Sequence, residues 1–96
     1  MINIWYGEVM MERSPDGWSE ELKGGVQVLT RTFEFGNFAQ AMAFAVHIGE
    51  AADAADHHPE INVSWGRVRV DWWSHDANGV TSRDIALAEI TNRLYY

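Results

Sequence analysis

NFAQAMAFAVHIGEAADAADHHPEINVSWGRVRVDWWSH, residues 37–75, changes its hydrophobic period once, and that change decides the fold. Before Pro59, Phe38, Ala41, Met42, Ala45, Ile48, Gly49 and Ala52 recur at steps of three and four, the spacing of one helical stripe that can lie on a sheet. After Pro59, Ile61, Val63 and Trp65 alternate with Asn62 and Ser64, and Val68, Val70 and Trp72 alternate with Arg67, Arg69, Asp71 and Trp73, which is the period of strands. Asn37 is a good N-cap, and Gln40 three residues later can return a bond in the manner of a capping box. Pro59 offers no amide hydrogen and biases His58 away from helical angles, so the helix must stop there. The two strands that follow form a hairpin turning near Gly66.

Upstream, residues 18–22 and 26–35 read as an earlier hairpin around Lys23-Gly24-Gly25. Ser14-Pro15-Asp16-Gly17 is a strong turn signal, and residues 1–17 read as a short N-terminal extension to a single domain over 18–96. Downstream, Ala77-Asn78-Gly79 is a loop, and Thr81 with Asp84 forms a capping box for a helix running to about Leu94. Strand, strand, helix, strand, strand, helix predicts an α+β domain of two layers: a four-stranded antiparallel sheet with the helices packed on one face.

Composition narrows the function. At 96 residues a core can form, but apolar surface is left for a partner, and a homo-oligomer is expected. Five Trp, four Phe and three Tyr in a chain that is 47% hydrophobic exclude disorder. Fourteen acidic against seven basic residues repel phosphates, so direct nucleic-acid binding is not expected. Without cysteine there is no disulfide, thiolate cage or thiol nucleophile, and the chemistry falls to His, Asp and Glu. The first residues lack the pattern of a secretory signal, and no apolar run approaches the roughly 18 to 20 residues that span a bilayer. The expectation is a cytoplasmic protein that does not engage membrane.

Asp53-Ala54-Ala55-Asp56-His57-His58-Pro59 carries the chemistry. Adjacent histidines leaving a helix point in different directions and can reach two sides of one small molecule, and imidazole exchanges protons near neutrality. The bland alternative is one histidine capping the helix carbonyls and the other solvated. Asp53, four residues before His57, is placed to orient its ring; an ordinary solvated carboxylate is the commoner fate of such a residue. His75 joins this group if its strand returns beside the helix end. Trp65 and Trp73 can wall a flat heterocycle, or serve the core or a subunit contact. Asp84 is explained first by its cap. A metal centre is not expected, since neighbouring histidines diverge and His47 lies about 15 Å from His57 along a helix axis.

Read together, Asp53-x-x-x-His57-His58-Pro59, five residues, Trp65, nine residues, His75, eight residues and Asp84 resembles the signature of the pterin-4a-carbinolamine dehydratases, in which the first position is usually Glu and the aromatic often Tyr. The resemblance extends through Gly17-Trp18, Gly24, Phe33-Glu34-Phe35, Phe38, Ala41, Phe44, Ala52, Gly79-Val80-Thr81 and Asp84-Ile85-Ala86-Leu87-Ala88, over roughly residues 17–94. Two departures stand out: residues 1–16 are too short and poorly periodic for the family's N-terminal helix of about five turns, and Ser74 replaces the usual Thr. The resemblance implies a hydro-lyase acting on 4a-hydroxytetrahydrobiopterin or a related pterin, without cofactor or metal. It implies His57, His58 and His75 as catalytic residues, Asp53 and Asp84 as orienting groups, and Pro59, Trp65 and Trp73 as substrate contacts. A homodimer or tetramer is the implied assembly. The alternative is a non-catalytic assembly or coactivator-like protein on the same scaffold.

Overall fold

The computed structural model describes residues 14–96, so the readings made of residues 1–13 lie outside the described residues. Six elements follow in the expected order: β1 (Ser19–Lys23), β2 (Val26–Glu34), α1 (Phe38–Ala55), β3 (Glu60–Ser64), β4 (Arg67–Trp72) and α2 (Ser82–Tyr95). The strands form one antiparallel sheet in the order β1-β2-β4-β3. Both helices pack against it and each other, α1 over β3 and β4 and α2 over β2 and β4. This is the two-layer α+β domain that the change of period predicts. Asn37 caps α1 by accepting the Gln40 amide at 2.8 Å.

The buried line of α1 is Ala41, Phe44, Ile48 and Ala52, so the stripe is rotated from the one read in sequence. Phe44 turns it: its ring packs against Phe33 and Phe35, with centroids 4.8 and 5.1 Å away. Phe38 and Met42 are consequently left on the surface. Alternation in β4 sends Val68, Val70 and Trp72 into the core, where the Trp72 indole donates to Thr91 Oγ1 at 3.2 Å and leaves no polar atom of the ring unpaired.

The opposite face of the sheet carries a buried charge. Asp71, fully buried, accepts from Thr30 Oγ1 at 2.5 Å, Lys23 Nζ at 2.7 Å and Arg69 Nε at 3.0 Å. Burial pushes its carboxyl up, and the hydrogen bonds from Lys23, Thr30 and Arg69 outweigh that and hold it below the usual carboxylate range. A depressed carboxyl contributes stability that is present above its unfolded value, about 3.9, and is lost as pH falls through the lower folded value. Asp71→Ala is expected to cost about 2 kcal/mol at pH 7, since three donors lose their acceptor and the two cations stay partly solvated. Urea midpoints should show this deficit at pH 7 and a smaller one below pH 4; equal midpoints at pH 7 would contradict it.

Hairpin pairing then fixes where the links between layers meet. Glu60, at the start of β3, lies opposite Asp71 near the end of β4. The α1–β3 link, residues 56–59, and the β4–α2 link, residues 73–81, therefore run side by side at one edge of the domain.

Candidate active site

The helix end is built by Asp56. Its backbone is left-handed, with φ 51° and ψ 43°, a conformation that Asp tolerates better than most residues because its short polar side chain bonds locally. The His57 amide returns to the Ala52 carbonyl at 3.1 Å and the Asp56 amide to Asp53 at 3.2 Å, the paired bonds of a Schellman stop. The helix thus ends at Ala55, earlier than Pro59 alone requires.

That stop corrects one expectation. Asp53 was expected to orient His57 through helical spacing, but the reversal at Asp56 takes His57 off the helix and turns it inward to 9% exposure. Asp53 Oδ1 instead lies 3.0 Å from Nε2 of His58, and both side chains are largely exposed. The adjacent histidines do diverge as expected, His57 into the domain and His58 toward solvent.

His57 is held by Asp84. Its Nε2 lies 2.7 Å from Asp84 Oδ1, and its ring runs nearly parallel to Trp72, with centroids 5.9 Å apart. The fully buried Asp84 also performs the capping role read in the sequence: Oδ2 accepts the Thr81 amide at 2.8 Å and the Ser74 hydroxyl at 2.8 Å. One carboxylate therefore starts α2 and holds a histidine from the end of α1.

His75 lies just beyond β4, in a turn closed by Ser74 and Gly79, whose backbones exchange bonds of 2.8 and 3.3 Å. This turn brings His75 beside the helix end, where His57, His58, His75, Asp56 and Asp76 line an open cavity of about 330 Å³. That volume is at the small end of ligand sites and suits a bicyclic ring. Asp76 bonds Arg83 Nη2 at 2.7 Å, and this bond, with the arginine's charge, keeps its carboxyl below the usual range. The cavity thus offers imidazoles between carboxylates, a setting for moving protons. Among the described residues, no group of three or more His, Asp or Glu side chains is arranged to hold a metal.

The expected substrate contacts are not gathered at this cavity. Trp65 is 72% exposed at the β3–β4 turn, a strand's length of roughly 17 Å from the helix end. Trp73 projects to the sheet face opposite the helices, lining a separate cavity with Lys23, Val26, Val28 and Glu60, while its ring lies 4.8 Å from that of His75. Pro59 is half-buried beside His58 and is not among the lining residues. Sequence reasoning passed over Asp56 and Asp76. Their signal was adjacency to the histidines, and for Asp76 an arginine seven residues on.

The family model for pterin 4 alpha carbinolamine dehydratase matches residues 7–94. A protein of Chlorobium luteolum, provisionally named pterin-4-alpha-carbinolamine dehydratase, is 41% identical over 88 residues, covering 92% of this chain and 76% of its own. One of Saccharophagus degradans with the same provisional name is 39% identical, covering 92% and 77%. A crystal structure of a transcriptional coactivator/pterin dehydratase from Brucella melitensis superposes with a TM-score of 0.76 at 36% identity over 84% of each chain. A pterin dehydratase-like protein identified as a RuBisCO assembly factor in the alpha-carboxysome superposes with a TM-score of 0.69 at 23% identity, over 84% of this chain and 92% of its own, a likeness of fold alone.

Proposed function

Because this chain belongs to the pterin-4a-carbinolamine dehydratase family, we propose that it is a hydro-lyase that removes water from 4a-hydroxytetrahydrobiopterin or a related 4a-hydroxytetrahydropterin. The observation that carries this reading is the convergence of His57, His58 and His75 on one cavity of bicyclic size. Dehydration takes a proton from N5 and delivers one to the 4a-hydroxyl; the C4a–O bond breaks, N5=C4a forms, and water and the quinonoid dihydropterin leave. No electrons are exchanged with an external acceptor, so acids and bases on the two sides of the ring suffice.

His58 is the central acid/base group in this reading. Its solvent exposure lets it exchange a proton with water each turnover, while Asp53 Oδ1, 3.0 Å from its Nε2, orients the ring. His57, committed at Nε2 to Asp84, offers its remaining nitrogen, and His75 assists departure of the hydroxyl from the neighbouring turn. Trp73, behind His75, steadies that ring. The same proposal includes a cytoplasmic homodimer or tetramer, supported by Phe38, Met42 and Val46 exposed at four-residue steps along α1.

The non-catalytic assembly reading rests on likeness of fold and gives the three histidines no task. Purified protein is expected to accelerate decay of freshly generated 4a-hydroxytetrahydropterin in proportion to its concentration. Exhaustive chelation should leave that rate unchanged; a large loss restored by zinc would replace the proton-transfer account with a metal-dependent one.

A further inference from the structure

Ser74 is fully buried, a place where a hydroxyl is retained only with its bonds made. Its Oγ donates to Asp84 Oδ2 at 2.8 Å and lies 2.8 Å from Thr81 Oγ1, so the Thr81 hydroxyl donates either to it or to Asp84 Oδ2, 3.3 Å away. The Thr81 amide, which can only donate, meets the same carboxylate oxygen at 2.8 Å. Oδ2 is thus surrounded by donors, and the charged carboxylate is the form that satisfies them all. An ionised Asp84 must accept at Oδ1 as well, so the His57 Nε2 atom 2.7 Å away carries the hydrogen and Nδ1 is left as the acceptor of the neutral ring.

The main chain of Ser74 serves the other histidine. Its amide and carbonyl close onto Gly79, and its carbonyl also accepts the Ala77 amide at 3.2 Å, which together form the turn that presents His75. One residue therefore ties the His75 turn, through its backbone, to the His57 dyad, through its side chain.

We propose that Ser74 is a positioning residue for the reaction: it holds the Asp84 carboxylate that keeps His57 as the Nε2–H tautomer, and it locks the separation between His57 and His75. The rate consequence rests on the dehydratase reading above, whereas the tautomer does not. Bonds at this remove from the reacting atoms are worth about tenfold or more in activity where they have been cut at metal-bound histidines.

The test is ¹⁵N-imidazole NMR of the full chain, with rates alongside. In the wild type His57 is expected to show a protonated Nε2 and a bare Nδ1 at high pH; the reverse pattern overturns the proposal without any variant. Ser74→Ala should shift and broaden the His57 ring ¹⁵N resonances, as the ring loses its fixed setting against Asp84, and lower kcat about tenfold with little change in KM, and Ser74→Thr should restore both. A Ser74→Ala protein that keeps the wild-type His57 spectrum also overturns it. If the wild type has the expected tautomer and Ser74→Ala disturbs the His57 spectrum, but the wild type does not dehydrate the pterin, the positioning stands and the proposed reaction fails. Should Ser74→Ala not fold, Thr81→Val, which keeps the backbone donor, is expected to disturb the His57 ring resonances in its place, and an undisturbed His57 there is equally contrary.

Discussion

His58→Ala is expected to reduce the dehydration rate by about 10² to 10³, the contribution of a positioned general acid or base, while leaving the fold intact. The separation of the two effects comes from placement. His58 is more than half exposed, and its side-chain partner, Asp53, is almost wholly in water, so the pair adds ~0–1 kcal/mol to stability at most. His57→Ala should differ, since that ring is buried against Trp72 and paired with Asp84; it is expected to lose stability together with activity. Circular dichroism and urea midpoints measured beside the rates distinguish them. A His58→Ala protein that is folded and as fast as wild type would remove His58 from the mechanism.

The second large effect belongs to Asp84. Truncating it leaves the His57 ring nitrogen, the Ser74 hydroxyl and the Thr81 amide without an acceptor and removes the cap of α2. A lost cap costs about 1 kcal/mol and each stranded buried group about 1 to 3 kcal/mol, with water entering to recover part. Asp84→Ala is expected to lose about 3 kcal/mol, read as a lower urea midpoint, and most of the activity. Asp84→Asn keeps the shape and can still accept at its carbonyl, so it should recover much of the stability and less of the rate, as its amide nitrogen would present a donor where an acceptor is required. Equal midpoints for Asp84→Ala and the wild type would contradict the assigned role.

The fold was legible because each local signal agreed with the global one. Asn37, Pro59, Gly66 and the Thr81–Asp84 box punctuate the chain where the elements start and stop, and alternation in β3 and β4 assigns their faces. The hairpin made it possible to expect His75 beside the histidine pair, because antiparallel pairing returns the end of β4 to the start of β3. What spacing could not supply was the direction of side chains after the helix. A proline forbids helix from its own position onward without saying how the preceding residues leave it, and the left-handed turn at Asp56 turned His57 to Asp84 and left Asp53 to His58. Trp65 shows the complementary limit, since a fixed interval from the histidines became a strand's length across the sheet.

Steady-state dehydration of 4a-hydroxytetrahydrobiopterin by the wild type and by the His57→Ala, His58→Ala, His75→Ala triple variant, each against the spontaneous rate in the same buffer, tests the central claim most directly. The account predicts acceleration proportional to wild-type concentration and a folded triple variant indistinguishable from buffer. A wild type no faster than buffer, or a triple variant as fast as the wild type, would contradict it.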